Sequence, residues 1–321
     1  MRAIVLEDEK YKIKDIDKPR VAPENVVIKV AYVGVNRADL YQKQGKYPQP
    51  SNNPPVPGME VSGIVEAVGA NVRGFKAGAQ VCALMSEGAY AEYVSVQSSL
   101  VFPIPDTLTI EQAAALPEAC FTAWISLVRH GRIRPGETVL IHGGASGIGI
   151  VAIQVAKLLG ARVYTTAGTP EKCMVCKEVG AEKAIDYKKQ DYVEIIQEIT
   201  EGKGVNVIMD MVGGDYFGRN LEALAFNGRM SIIAFLKGSK VNANISPILL
   251  KHLSVNGSTL RSRPLFEKAQ IAEEIRAKLW SKFDKGGIRP VVHGVFSMGE
   301  AEKALDLMEE GLNIGKILIK M

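Results

Sequence analysis

Cysteine is scarce in this sequence. The chain has 321 residues and four cysteines, Cys82, Cys120, Cys173 and Cys176. So few thiols exclude a disulfide-rich framework and favour a reducing compartment. Cys173 and Cys176 have helical i, i+3 spacing without a second pair or a nearby histidine. We therefore interpret them as packing residues rather than as a metal or redox motif.

Long apolar runs and an excess of one charge are also missing. The longest apolar stretch, 113–128, is interrupted by Pro117 and Glu118, so no membrane-spanning helix is predicted. Residues 1–19 alternate apolar and charged side chains, unlike a signal peptide. The net charge is only +4, and the basic residues form short pairs such as Lys188 and Lys189. Nucleic acid is therefore not an expected partner, and a cytoplasmic globular protein is predicted.

The first third of the sequence contains short β patterns. Glycines and prolines separate them at turn spacing, and residues 48–57 read as a proline-dense loop. This organisation predicts a compact, barrel-like β domain. The strand-like stretches are Val26–Val33, Val61–Val68 and Ala89–Val96.

From about Glu118 onward, strand-like stretches alternate with amphipathic helical ones. Such alternation predicts a parallel, doubly wound sheet. After Gly257, two helical stretches and a final strand, Lys316–Lys320, complete the pattern. The other predicted strands are Thr138–Ile141, Arg162–Thr166, Ala184–Tyr187, Val205–Met209 and Arg229–Phe235.

The first of these strands runs into a glycine-rich segment, residues 141–150, which reads IHGGASGIGI. Glycine clusters also occur in ordinary turns, but a buried strand, a glycine loop and an amphipathic helix in succession favour a dinucleotide site. The free N–H groups and the positive dipole at such a helix start bind a pyrophosphate. We predict that the cofactor phosphates contact Gly143, Ser146, Gly147, Ile148 and Gly149.

The end of the next strand predicts NADPH rather than NADH. An NAD site usually has Asp or Glu at this point, where the carboxylate binds the ribose 2′-hydroxyl. Here the strand ends in Thr166, Ala167 and Gly168, which leave room for a 2′-phosphate. Lys172 follows as a cation, and Tyr187, which ends the third strand, is expected to cover the same region.

The spacing Gly143, Gly147 and Gly149 also matches the short-chain dehydrogenases. Their loop lies near the amino terminus, whereas some 140 residues precede this one. They also need a Tyr-x-x-x-Lys pair as proton donor. None of the ten tyrosines is followed by lysine at the fourth position, so this class is set aside.

The whole sequence resembles the medium-chain dehydrogenase/reductase superfamily, and within it the zinc-independent quinone oxidoreductase branch. The Leu-Arg-Ser-Arg segment and the serine of the glycine loop are most similar to the p53-inducible NADPH quinone oxidoreductase subgroup, although Gly143 stands where that subgroup has alanine. The resemblance implies an α/β fold with a Rossmann domain at 119–256 and a GroES-like β-barrel domain formed by 1–118 and 257–321. The matching segments are 35–40, 45–48, 57–63, 113–118, 142–149, 257–263 and 313–316.

Zinc alcohol dehydrogenases of this superfamily have cysteine at the position of Asn36 and Gly-His-Glu at the position of Gly58, Met59 and Glu60. Asparagine amides and methionine thioethers are poor zinc ligands, and the four-cysteine structural lobe is missing from the sequence. No metal is therefore predicted. A quinone is already electrophilic, so direct hydride transfer from the nicotinamide needs no Lewis acid.

The resemblance also implies the remaining site residues. Asn36 and Tyr47 would line the substrate cleft, with Tyr47 bonding a quinone oxygen, while His142 is interpreted as structural. A homodimer paired through 253–260 is expected. An NADPH-dependent alkenal or enoyl reductase and a non-catalytic NADPH-binding protein stay open as alternatives. By similarity alone, Thr122 and Phe235 are expected beside the nicotinamide end of the cofactor. Asn313 and Lys316, in the tail of the chain, are expected over the cleft.

Overall fold

The computed structural model describes residues 1–47, 55–283 and 287–321. Residues 48–54, most of the proline-dense stretch, lie outside the described residues. The chain folds into two compact units: unit 1 is Met1–Glu118 with Leu260–Met321, and unit 2 is Ala119–Thr259. Within the described ranges, no helix is long and apolar enough to cross a membrane.

The strands of the described residues are given in chain order. They are β1 (Arg2–Glu7), β2 (Lys10–Asp15), β3 (Asn25–Gly34), β4 (Glu60–Val68), β5 (Gln80–Leu84), β6 (Tyr93–Gln97), β7 (Val101–Pro103), β8 (Thr138–His142), β9 (Arg162–Ala167), β10 (Lys183–Asp186), β11 (Val205–Asp210), β12 (Leu224–Ile232), β13 (Ser254–Gly257), β14 (Val292–Ser297) and β15 (Lys316–Lys320).

The α-helices follow the same order, and short 3₁₀ or π segments lie at 98–100, 125–130, 276–280 and 298–300. The helices are α1 (Arg37–Lys43), α2 (Ile110–Ala113), α3 (Pro117–Trp124), α4 (Gly147–Leu158), α5 (Pro170–Glu178), α6 (Tyr192–Ile199), α7 (Tyr216–Ala223), α8 (Ser246–Leu250), α9 (Leu265–Ile275), α10 (Ser281–Phe283) and α11 (Ala301–Glu309).

Unit 1 is built on a seven-stranded sheet in the order β14-β15-β3-β4-β5-β7, with β6 also paired to β3. Strand β3 is antiparallel to β4, β6 and β15, so the last strand of the chain lies beside one of the first. This is the predicted GroES-like β domain. The strand predicted at 89–96 begins later, at Tyr93, because the backbone at 90–91 pairs with β1 through Ile4 and Ala3.

Unit 2 contains six parallel strands in the order β10-β9-β8-β11-β12-β13. When these six strands are renumbered 1 to 6 along the chain, starting from β8, their order in the sheet is 3-2-1-4-5-6, the arrangement of the Rossmann fold. The predicted doubly wound sheet is therefore confirmed. The order reverses between β8 and β11, and such a switch point is where open α/β sheets bind ligands. β13 is one of the two edge strands of this sheet, and the dimer contact expected there stays a prediction.

Strand β12 differs from the predicted limits of 229–235. It starts five residues earlier, at Leu224, and ends at Ile232. An Asn-Gly pair is typical of a turn, but the structure accommodates Asn227 and Gly228 in an irregularity of the strand. The pairing with β11 shifts there, and Asn227 adopts a φ of 58°. Phe235 consequently lies beyond the strand, with half of its surface exposed.

Candidate functional site

The glycine loop joins β8 to the first turn of α4, at the switch point of the unit 2 sheet. Ser146 is the N-cap of α4, and its hydroxyl accepts a hydrogen bond of 3.0 Å from the N–H of Gly149. A second bond of 3.0 Å, from the N–H of Ser146 to the oxygen of Gly143, closes the turn. The first turn of the helix thus presents its backbone N–H groups and positive dipole end, as an anion site requires.

Gly149 is required by close packing against the loop itself. A Cβ at this position would lie 2.4 Å from the carbonyl oxygen of Gly143 and 2.7 Å from the Cα of Gly144. Both are backbone atoms, which cannot move without changing the loop. The helix start and the loop can therefore approach one another only through a glycine, and the five predicted phosphate contacts lie together in this turn.

The tip of β9 brings together the residues predicted to select the cofactor. A Cβ on Gly168 would lie 2.7 Å from the hydroxyl of Tyr187, so the tyrosine covers the glycine directly. Thr169 is the N-cap of α5 and accepts a hydrogen bond from the N–H of Lys172 in the first turn. No acidic residue occurs at 166–169, where an NAD site would place one.

Lys188 belongs to the same region, and the sequence reasoning did not assign it there. Burial lowers the pKa of Lys172, and the neighbouring Lys188 ammonium lowers it further. Two mutually repelling cations beside a helix N-terminus favour a multiply charged anion. The sequence did indicate a place for Lys188 in this region, because it directly follows Tyr187, which was predicted to lie there.

His142 lies beneath the glycine loop in a buried hydrogen-bond network. Its Nε2 is 2.8 Å from the Oδ1 of Asn220, and its Nδ1 is 3.0 Å from the hydroxyl of Thr166. The Oδ1 of Asn220 can only accept, so Nε2 carries the proton and Nδ1 accepts from Thr166. The rings of Tyr192 and Tyr216 pack edge-on at 4.9 Å. The neutral imidazole therefore supports the strand that ends at the loop.

This network makes the stability of the protein sensitive to acid. Burial lowers the pKa of His142 below its ordinary value of 6.5, although Asp210 partly opposes the effect. Below pH 6.5, His142 binds a proton in the unfolded chain but stays neutral in the folded chain. The free energy of unfolding therefore falls by about 1.4 kcal/mol for each pH unit. Urea titrations of wild type and His142→Gln should show that acid destabilises the wild type more steeply. Identical acid slopes would contradict this account.

A buried charge cluster lies in unit 1, where the first residues of β4 and β15, Glu60 and Lys316, meet Glu118. The ammonium of Lys316 is 2.7 Å from Glu60, 3.2 Å from Glu118 and 2.6 Å from the Oδ1 of Asn36. Lys316 is only 4% exposed, and Glu60 is fully buried. Burial alone would push the pKa of Lys316 down, but the two carboxylates outweigh it and raise the pKa. The lysine is a fixed internal cation.

Asn36 and Lys316 were both predicted to contact substrate or cofactor. The side-chain amide of Asn36 donates to Gly34 at 3.1 Å and to Glu60 at 3.0 Å, and its oxygen accepts from Lys316. The three acceptors around Lys316 match the three protons of its ammonium. Their ligand contacts stay predictions, and the geometry favours a role within the charge cluster for both.

This cluster decides whether unit 1 suits a catalytic zinc ion. The oxygens of Asn36, Glu60 and Glu118 receive the ammonium of Lys316, which supplies the positive charge. In the described ranges, no group of three or more His, Cys, Asp or Glu side chains is arranged to hold a metal. Because the ammonium of Lys316 already takes the place of a cation between the two carboxylates, and the third donor is an amide oxygen, this cluster does not fit zinc.

Tyr47 lies beside an arginine that the sequence reasoning left out of the site. The guanidinium of Arg261 stands over the Tyr47 ring, 4.8 Å from its centroid. Burial raises the pKa of the Tyr47 phenol, and Arg261 opposes that rise. Arg261 donates to the Oε1 of Gln42 at 2.9 Å and lies 3.6 Å from the buried carboxylate of Asp39. The Leu-Arg-Ser-Arg segment had drawn attention to Arg261 only as a family trait.

The other site residues taken from the resemblance are placed as follows. Thr122 is buried in α3, and Phe235 is 51% exposed after β12. The side chain of Asn313 donates a hydrogen bond of 2.7 Å to the carbonyl oxygen of Gly315. Their contacts with a cofactor stay predictions.

Two family models match the chain. One is the alcohol dehydrogenase GroES-like domain, at residues 22–106, and the other is the zinc-binding dehydrogenase, at residues 147–275. The second name mentions zinc, which the oxygens of Asn36, Glu60 and Glu118 do not fit.

Relatives match over nearly the whole length. The quinone oxidoreductase of Rattus norvegicus is 32% identical over 95% of this chain and 92% of its own. The structure of Escherichia coli quinone oxidoreductase complexed with NADPH covers all of both chains, with a TM-score of 0.89 and 29% identity. An NAD-dependent alcohol dehydrogenase structure also covers both chains, with a TM-score of 0.88 and 28% identity.

The chain thus combines a Rossmann sheet, a glycine-rich loop at the start of a helix and a GroES-like β unit with similarity to quinone oxidoreductases over nearly its whole length. Membership of the p53-inducible subgroup stays a prediction. The protein belongs to the quinone oxidoreductase branch of the medium-chain dehydrogenase/reductase superfamily and is an oxidoreductase that uses a nicotinamide cofactor.

Proposed function

We propose that the protein is an NADPH-dependent quinone oxidoreductase that transfers hydride without a metal. The observation that carries the proposal is in unit 1, where Tyr47 and Arg261 form a polar pair while a lysine neutralises the buried carboxylates. The names of the rat and Escherichia coli relatives support a quinone as substrate and NADPH as cofactor.

The chain's own residues would bind and orient the reactants. The N–H groups at the start of α4 hold the pyrophosphate, and Lys172 with Lys188 holds the 2′-phosphate. A bound NADPH would supply a hydride from C4 of its nicotinamide, and a proton from water or a hydroxyl would complete the hydroquinone. The hydroxyl of Tyr47 donates a hydrogen bond to a quinone oxygen and stabilises the negative charge that develops there. Because quinones are electrophilic, this positioning accounts for most of the catalysis.

Replacing Lys172 by alanine should weaken NADPH binding roughly tenfold to a hundredfold, the value of one or two charge-assisted bonds. NADH has no 2′-phosphate, so its affinity should change little. Isothermal titration with both cofactors measures the difference. Lys189→Ala is the matched control, since Lys189 is exposed and its nearest acid is Asp186. Equal weakening of NADPH and NADH by Lys172→Ala would overturn the 2′-phosphate assignment.

A substrate panel tests the proposed function. Oxidation of NADPH is followed by absorbance with ortho- and para-quinones, with alkenals and enoyl thioesters, and with aldehydes. We expect turnover with quinones, and we expect Tyr47→Phe to lower kcat/KM for quinones about tenfold. Preferred reduction of carbon–carbon double bonds would favour the alkenal or enoyl reductase. Tight NADPH binding without any turnover would favour a non-catalytic role.

A further inference from the structure

Lys268, on α9 of unit 1, is a buried lysine that has no role in the proposed reaction as described so far. It is only 2% exposed. Its ammonium donates to the hydroxyl of Ser86 and to the carbonyl oxygen of Arg261, both at 2.7 Å. Among the described residues it pairs with no carboxylate, whereas buried lysines are usually paired. Burying an ammonium without a carboxylate partner costs free energy, so a specific role for Lys268 is expected.

The hydrogen bond from Lys268 to Arg261 indicates what this role is. Its bond fixes the backbone of Arg261, the residue whose side chain lies over Tyr47. The other end of Arg261 is held by Gln42 and faces Asp39. The position of the guanidinium is therefore set from both sides, by its backbone anchor and by its side-chain partners.

Asp39 is itself held by hydrogen bonds from two neighbouring residues. One of its oxygens accepts the N–H of Asn36 at 2.9 Å and the hydroxyl of Tyr90 at 3.1 Å. Its other oxygen faces Arg261 at 3.6 Å. Burial raises the pKa of Asp39, and among the supports of Arg261 named here Lys268 is the basic one.

We propose that Lys268 is a positioning residue for the candidate substrate site, because it holds Arg261 over the ring of Tyr47. Through Arg261 it sets how well the Tyr47 hydroxyl binds the quinone oxygen. This inference rests on the proposed function for its substrate, but the placement of Arg261 can be tested without any substrate.

The charge state of Lys268 gives the arrangement a pH dependence. Burial and the nearby Arg261 lower the pKa of Lys268 to about 8. Ser86, its other partner, is neutral, and on its own helix the adjacent Glu267 is paired with Arg263 at 2.9 Å. Above pH 8 the amine donates more weakly to the Arg261 carbonyl. The KM for quinone should then rise with pH while the KM for NADPH stays constant.

Kinetics of two variants test the proposal. Lys268→Met should raise the KM for quinone about tenfold at neutral pH and leave the KM for NADPH unchanged. Lys268→Gln keeps a donor without a titrating charge, so it should partly restore the KM and remove its rise above pH 8. The matched control is Lys251→Met, because Lys251 donates to three backbone carbonyls in unit 2. It should lower stability without changing the KM for quinone.

A spectroscopic readout separates this proposal from the proposed function. Tyr47 is replaced by 4-fluorophenylalanine, and the fluorine resonance is followed by NMR as pH is raised. A step near pH 8 that Lys268→Gln abolishes supports the positioning role, even if quinones are not turned over. The proposal is overturned if the resonance has no step or if the Gln variant retains it. The proposal would also be overturned if the KM of Lys268→Gln for quinone equalled that of the wild type at every pH.

Discussion

Replacing Lys316 by methionine is expected to lower the free energy of unfolding by about 3–5 kcal/mol, the usual cost of removing one partner from a buried ion pair. The variant leaves the carboxylates of Glu60 and Glu118 facing one another without a cation, and Asn36 loses the donor to its amide oxygen. Urea unfolding followed by circular dichroism measures the loss.

Lys320→Met is the matched control, because Lys320 lies on the same strand but is exposed. Its effect should stay within about 0.5 kcal/mol. Adding Glu60→Gln to Lys316→Met removes one of the stranded charges and should recover part of the loss. If Lys316→Met costs less than about 1 kcal/mol, the cluster does not depend on this lysine.

Replacing Gly149 by alanine is expected to weaken NADPH binding by about a hundredfold or more. The new Cβ would lie 2.4 Å from the Gly143 oxygen, so the loop must move away from the start of α4. Each charge-assisted bond to phosphate is worth about 1.5–3 kcal/mol, so losing two of them accounts for an effect of this size.

Isothermal titration measures the affinity, and circular dichroism shows whether the variant is folded. Gly218→Ala is the control, since it also lies on a helix of unit 2 and its Cβ would have an ordinary contact of 3.4 Å with Ala243. It should bind NADPH like wild type. Wild-type affinity in Gly149→Ala would show that the loop does not hold the phosphates as proposed.

Local patterns predicted the parts of the structure that depend on neighbours in sequence. The glycine loop is an example, because the apolar strand, the glycines and the helix stripe all lie within 138–158. The parallel sheet followed from the alternation of such segments. Strand β12 was predicted to start at Arg229, whereas it starts at Leu224, because the pairing with β11 continues past Asn227 and Gly228 through an irregularity.

Partnerships across long sequence separations could not be predicted from these patterns. Lys316 meets Asn36 across 280 residues and Glu118 across 198. Arg261 reaches Gln42 across 219 residues, and Lys268 reaches Ser86 across 182. No periodicity or motif spacing reports such contacts, since they arise only when the tail of the chain folds back into unit 1.

The most direct test of the central claim is NADPH oxidation with a para-quinone by protein treated with a zinc chelator, with metal content measured on the same sample. The account predicts quinone-dependent oxidation of NADPH at the same rate before and after chelation. Stoichiometric zinc together with loss of activity on its removal would contradict it, as would the absence of quinone turnover in a folded protein that binds NADPH.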